Sequence, residues 1–285
     1  MHWMFWTALF LLLWLRFALL VRDFQRLSLR GGDVETGAWV WMFRVYARLM
    51  QRMRVEGSEH VPTLDSLAGR ALVVVPNHTA GVDPVLVQAA IGAAFETRWM
   101  MAEDMRAPGL QWLWDYGRVI FVDRSARDTR AMREALRHLK DGGVLGVFPE
   151  GHIERPPRQI LPFKGGIGML VSRTKALVLP AVIEGTPQCD PAWASLWRFG
   201  RARVRFLPLI DYQERGVPAA EISEDLRGVF VEATGWPVND RLPIIGGGRR
   251  ILVDVDGRYR DEEGRVLDDE EALAIQASLN GSAAS

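Results

Sequence analysis

The chain has 285 residues, 48% hydrophobic and 25% charged, which is enough apolar content for a packed core and too much for a disordered chain. Its 35 basic residues balance 35 acidic ones, and zero net charge argues against a nucleic-acid binder, which needs a basic excess to neutralise phosphates. The single cysteine, Cys189, excludes an intrachain disulfide framework and any paired-cysteine metal knuckle.

The first predicted element is membrane-seeking. No Asp, Glu, Lys or Arg occurs from Met1 to Leu15, and after Arg16 the apolar run resumes from Phe17 to Val21. A helix from Trp3 to Val21 would reach about 28 Å, close to the ~30 Å hydrocarbon thickness of a bilayer. Five of the 11 tryptophans (Trp3, Trp6, Trp14, Trp39, Trp41) fall within the first 41 positions, and tryptophan favours the membrane–water boundary. No basic stretch precedes the run and no Ala-x-Ala site follows it, which disfavours a cleaved leader. Arg22, Arg26 and Arg30 follow the run, so the positive-inside tendency predicts that the rest of the chain lies on the cytoplasmic face.

A second helix is expected over Ala38–Val55. Trp41, Met42, Val45, Tyr46, Leu49, Met50 and Met53 recur at helical spacing, with Arg44, Arg48, Arg52 and Arg54 mostly on other faces. Such a helix either lies in the headgroup plane of an anionic membrane or packs its Met and Trp side chains on the core.

After a polar connector (Glu56–Arg70), β-branched runs alternate with helical stretches. Ala71–Val75, Arg118–Val122, Val144–Phe148, Ala176–Ile183 and Arg203–Leu207 read as buried strands. Thr129–Lys140, closed by Gly142-Gly143, reads as the helix of a strand–helix–strand unit. Pro84–Ala94 reads as another helix, capped by Asp83. This alternation predicts an α/β fold with a mostly parallel central sheet flanked by helices and preceded by the N-terminal membrane-associated helix pair. The end of the chain, with nine acids against three arginines from Asp254 to Ser285, reads as a hairpin around Asp256-Gly257 and a helix from about Asp268, solvated as a whole.

The sequence lacks GxSxG, GxxxxGK and HExxH, which disfavours a serine hydrolase, a P-loop NTPase and a zinc protease. What stands out is Asn77-His78-Thr79-Ala80-Gly81-Val82-Asp83-Pro84, directly after the strand ALVVVP. A His and an Asp five residues apart, on a turn from strand to helix, can meet across that turn. The carboxylate then fixes the imidazole tautomer, leaving the nucleophile to come from the substrate. The spacing alone is weak: chance gives about 0.3 matches from five His and 18 Asp. His60 and Asp65 also fit it, but lie in the polar connector without a companion motif. Three further segments strengthen the first match: Gly117–Arg124 (GRVIFVDR); Phe148–Gly151 (FPEG) followed by Phe163-Lys164-Gly165-Gly166; and Val178-Leu179-Pro180. Each lies at or near the C-terminal end of a predicted parallel strand, where open α/β sheets place their ligands.

Taken in order, these blocks resemble the PlsC-like glycerolipid acyltransferases, 1-acylglycerol-3-phosphate acyltransferases and their relatives. The resemblance runs from about Val73 to Val182 and implies direct transfer of a fatty acyl group from a thioester, acyl-CoA or acyl-carrier protein, to the free hydroxyl of a lysophospholipid. His78 is then the general base and Asp83 its orienting partner, with no acyl-enzyme. Asn77, Arg124, Glu150, Gly151 and Lys164 would surround the acceptor, whose phosphomonoester suits a guanidinium fork. No metal and no cofactor beyond the thioester co-substrate is implied, and the partners are membrane lipids. The chain is accordingly expected to divide into membrane-associated helices (1–55), an acyltransferase α/β domain (56–245) and an acidic hairpin/helix appendage (246–285). One departure stands out. Where the family's commonest form follows FPEG with Thr-Arg-Ser, Ile153 takes the arginine's place, and the next basic residues are Arg155 and Arg158. A different acceptor, such as a lyso-ornithine lipid or a lysophospholipid with a blocked phosphate, is therefore an alternative. A thioesterase and a non-catalytic lipid-binding module on the same fold are the others.

Overall fold

The computed structural model describes residues 2–123, 128–246 and 249–282. The chain opens with helices α1 (His2–Leu27) and α2 (Val34–Leu49), then β1 (Arg54–Glu56), β2 (Leu72–Pro76), α3 (Asp83–Ile91), β3 (Thr97–Ala102), α4 (Gln111–Tyr116) and β4 (Ile120–Val122). It continues through α5 (Thr129–Lys140), β5 (Val144–Gly146), α6 (Gly166–Thr174), β6 (Leu177–Glu184), β7 (Arg203–Phe206), α7 (Tyr212–Arg215) and α8 (Ile222–Thr234). A last group comprises β8 (Ile244–Gly246), β9 (Arg249–Val253), β10 (Tyr259–Arg260), β11 (Val266–Leu267) and α9 (Asp269–Ser282).

Among the described residues the main sheet has seven strands in the order β1-β7-β6-β2-β5-β3-β4. It is mixed and mostly parallel, as expected: only the β6–β7 pair is antiparallel. Strand β2 reads as an uninterrupted apolar run because both faces are covered. Val73 and Val75 enter the core built with Ala131, Ala135 and Leu139 of α5, Leu170 of α6 and Phe230 of α8. Leu72 and Val74 enter the opposite core, against Leu86 and Val87 of α3 and Ala47 of α2.

Helix α5 occupies the predicted span, its N-terminus capped by Asp128, which accepts from the Ala131 N–H at 2.9 Å. Other boundaries shift for tertiary reasons. Helix α2 stops at Leu49 rather than Val55, because Arg54–Glu56 pairs in parallel with β7. Strand β3, whose sequence TRWMMA carries no clear alternation, owes its form to parallel partners on both sides, β5 and β4. Asp83 does not cap α3: Val82 holds the cap position without a side-chain bond, and the Asp83 carboxylate turns back into the preceding loop.

Helix α1 is long and apolar enough to cross a membrane, with mean hydropathy 2.1 in its best window and none of that window buried. Trp3, Phe5, Trp6, Phe10 and Trp14 all stand outward, so this helix associates the chain with a membrane. It packs on α2 where Gly37 meets Phe24: a Cβ at Gly37 would come within 1.7 Å of the Phe24 carbonyl oxygen. The C-terminal strands β8–β11 form a second sheet. Expected to be simply solvated, it holds a small core of its own, with Ile251, Val253, Tyr259, Leu267 and Ala272 buried together.

Candidate active site

Parallel strands β2 and β5 are neighbours, with Val74 beside Gly146, so their C-terminal ends deliver the His78 turn and the Phe148–Gly151 segment to one edge of the sheet. The Glu154 N–H donates to the His78 carbonyl at 2.7 Å and ties the two together.

His78 and Asp83 meet as the spacing predicts, with Nδ1 3.0 Å from Oδ2. Asp83 is fully buried. Its Oδ2 also accepts from the backbone N–H groups of Thr79 at 2.6 Å and Ala80 at 2.8 Å, and its Oδ1 from the Thr79 hydroxyl at 3.0 Å. Thr186 in turn contacts the Thr79 hydroxyl. A carboxylate so surrounded by donors accepts from Nδ1–H and leaves Nε2 as the basic nitrogen. The turn is tight because Gly81 lies against the 192–193 backbone, where a Cβ would sit 2.5 Å from the Ala192 carbonyl oxygen.

The imidazole stacks on Phe148 with centroids 4.1 Å apart, and Phe148 stacks on Trp99 at 5.5 Å. Sequence reasoning missed this ring floor. Phe148 lay inside a recognised block, but Trp99 carried no signal. His78 opens on a cavity of about 1630 Å³ whose walls include Trp39 and Phe43 of α2, Met100 and Met101 of β3, Trp114 of α4, Met132 of α5 and Leu170 of α6. That is larger than a typical small-molecule site, and its apolar walls suit a long hydrocarbon chain. Helix α2 is held there by Thr36 bonding the Tyr116 hydroxyl at 2.7 Å and by the Trp39 ring packing at a tilt against Trp112 and Tyr116.

The remaining expected site residues separate into two groups. Gly151 and Lys164 come together at the cavity wall: Gly151 has φ +69°, and a Cβ there would stand 2.6 Å from the Lys164 Cε. Asn77 and Glu150 are wholly buried and lie behind the cavity lining. The Asn77 amide is consumed by β6, donating to the Ile183 carbonyl at 3.1 Å and accepting its N–H at 2.7 Å. Arg124 lies outside the described residues. Ile153 lines the cavity. Arg155 also reaches the wall, but its guanidinium is committed to the carbonyls of Thr79 (3.2 Å) and Cys189 (3.2 Å). It therefore braces the His78 turn. Arg158 points away, to Glu184 at 4.0 Å.

Beneath the His78 turn sit two buried carboxyls, Glu150 and Glu154. Burial, and then the neighbouring Glu154, hold the Glu150 carboxyl well above the usual range, against the opposing influence of the His78 N–H and Arg227. Neither Glu150 oxygen has a hydrogen-bond partner of good geometry. Burial, assisted by the charge of Asp83, pushes Glu154 up to about 8, although the Arg158 N–H donates to it at 2.9 Å. Among the described residues no group of three or more His, Cys, Asp or Glu is disposed to hold a metal ion.

Residues 52–184 match the family described as Acyltransferase. Among curated proteins, the N-acylphosphatidylethanolamine synthase of Arabidopsis thaliana is 30% identical over 134 residues, 43% of this chain and 47% of that protein. The 1-acyl-sn-glycerol-3-phosphate acyltransferase of Borreliella burgdorferi is 27% identical over 136 residues, 46% of this chain and 51% of that protein. The chain thus spans about half the length of the curated relatives it matches. The crystal structure of the 1-acyl-sn-glycerophosphate (LPA) acyltransferase PlsC from Thermotoga maritima is similar with a TM-score of 0.54 and 27% identity, over 74% of this chain and 83% of that one.

Proposed function

We propose, from the match of residues 52–184 to the Acyltransferase family and the similarity to a PlsC structure, that the chain transfers a fatty acyl group from acyl-CoA or acyl-carrier protein to the free hydroxyl of a lysophospholipid of the 1-acylglycerol-3-phosphate type. The observation that carries this is the His78–Asp83 pair at 3.0 Å, with the imidazole at the wall of a large apolar cavity. His78 Nε2 removes the hydroxyl proton as the oxygen attacks the thioester carbonyl. The tetrahedral intermediate then expels the thiolate, which recovers the proton from the imidazolium. Asp83 stabilises that cation and fixes the ring.

Lys164 and Gly151, with Arg124, serve the acceptor headgroup, while buried Asn77 and Glu150 act by holding the backbone around it. Residues 1–55 attach the chain to the membrane, 56–245 carry the chemistry and 246–285 form the appendage. The chemistry faces the cytoplasm, supported by the arginines that follow the apolar run. The test is to reconstitute the protein with either thioester and a panel of lysolipids, with His78→Ala beside it. Conversion of one lysolipid to its diacyl form, only with His78, is the expected result. Unchanged transfer by a folded His78→Ala protein would sink the mechanism.

A second reading keeps the chemistry and changes the acceptor. Ile153 in the cavity wall removes a phosphate-binding arginine, and one relative is named for making an N-acylated phosphatidylethanolamine. An acceptor with a blocked phosphate or an amine headgroup fits both facts. Ile153→Arg should improve use of lysophosphatidate over other acceptors. No change in that preference would count against this account.

A further inference from the structure

Trp197 and Phe199 stand far out of the protein, 81% and 69% exposed. They do so on a segment that is firmly held. The Tyr46 hydroxyl donates to the Leu196 carbonyl at 2.8 Å, and Gln51 Nε2 donates to the Arg198 carbonyl at 2.8 Å. The Gly200 N–H donates to Met50 at 3.0 Å and the Ala202 N–H to Gln51 at 2.9 Å. Gly200 is needed for this approach, since a Cβ there would lie 2.3 Å from Gln51 Oε1. A well-anchored loop that presents two large aromatic rings to solvent is built to meet something.

Two features identify the occupant. The first is continuity. Val34, Trp41, Met42 and Leu49 are the exposed large apolar residues of α2, and their spacing places them on one helix face. That stripe ends at Leu49, beside the Met50 and Gln51 anchors of the loop, and begins where α2 packs on the membrane-seeking α1. The second is charge. Arg48, Arg52, Arg198 and Arg201 are exposed on the two segments that these hydrogen bonds join, and no carboxylate among the described residues pairs with them. The nearby acids are engaged elsewhere, Asp190 with Arg155 at 3.6 Å and Glu56 with Arg203 at 3.3 Å. Tryptophan and phenylalanine amid unpaired arginines match the headgroup layer of an anionic bilayer.

We propose that Trp197–Arg201 is a second membrane contact, distant in sequence from α1, that seats in the headgroup layer and holds the catalytic domain at a set tilt to the bilayer. It rests on membrane association through α1, and the experiment separates the two. The full chain carrying Cys189→Ser and Phe199→Cys is labelled with an environment-sensitive fluorophore and reconstituted in phosphatidylcholine–phosphatidylglycerol vesicles. A control carries the label at Glu232, exposed on α8 across the sheet. The label at 199 should shift to the blue, resist aqueous iodide and be quenched by lipids bearing a doxyl group near the headgroup. Arg198→Glu with Arg201→Glu should weaken the doxyl quenching several-fold while the protein still floats with the vesicles. Iodide quenching equal to that at position 232 would overturn the proposal. Shielding from iodide without doxyl quenching would mean that protein covers this face, and would overturn it too. Failure of the chain to float at all would remove α1 as the anchor and this contact with it.

Discussion

Glu154→Gln offers a quantitative test of the buried carboxyl pair. The folded chain holds a proton on Glu154 up to a pH of about 8, whereas an ordinary glutamate releases it near 4.5. Between those values the folded state binds a proton that the unfolded state does not, so stability falls as pH rises. The penalty is absent below the lower value and complete above the upper one. At about 1.4 kcal/mol per pH unit, the carboxyl costs the fold roughly 3–4 kcal/mol more at pH 8 than at pH 5. Glutamine keeps an oxygen for the Arg158 N–H, accepted in wild type at 2.9 Å, and carries no charge. Reversible urea unfolding in detergent micelles, followed at pH 5, 6, 7 and 8, should show the variant matching wild type at pH 5 and gaining on it by about 1 kcal/mol or more per unit above. Glu150 keeps part of the wild-type slope, but Glu154 is the second cause of its own rise, so the variant relieves both groups. Parallel pH profiles for the two proteins would refute the reasoning.

Four other substitutions probe the site and its supports. His78→Ala should lower turnover by about 10²–10⁴ and Asp83→Asn by at least about 10², with substrate affinity less affected, as steady-state kinetics would show. Gly146→Ala places a Cβ 2.5 Å from the Trp99 ring. The displaced ring disturbs Phe148 and then His78, so kcat should fall about 10–100-fold with KM little changed. Gly37→Ala should push α1 off α2 at Phe24 and destabilise their packing by about 1–3 kcal/mol, read as faster proteolysis of the 28–33 connection.

Local chemistry made much of this legible before any coordinates. The α/β alternation, the helix over Thr129–Lys140 and the apolar first helix each rest on patterns that neighbours in the chain impose on one another. The His78–Asp83 pair belongs with them, because five residues around a turn bring the two side chains within reach, and the long-range contacts of Gly81 and Arg155 only hold that turn in place. Strands β1 and β3 were illegible for the opposite reason. Their residues carry weak alternation, and hydrogen bonds to β7, β4 and β5 hold them extended.

Within the site, the chain by itself determined which chemical groups are present; the tertiary structure decided which of them face the cavity. Asn77 and Glu150 lie next to conspicuous motif residues, yet both are drawn inside, Asn77 because β6 consumes its amide. Arg155, two residues past the position that Ile153 occupies, looked available for phosphate. The carbonyls of Thr79 and Cys189 claim it instead. Trp99 became the second ring beneath the His78 imidazole only because β3 pairs with β5 at Gly146, where the missing side chain admits it. Sequence spacing reaches across a turn or along a helix. Which side of a seven-stranded sheet a residue faces, and what it meets there, depends on partners tens of residues away.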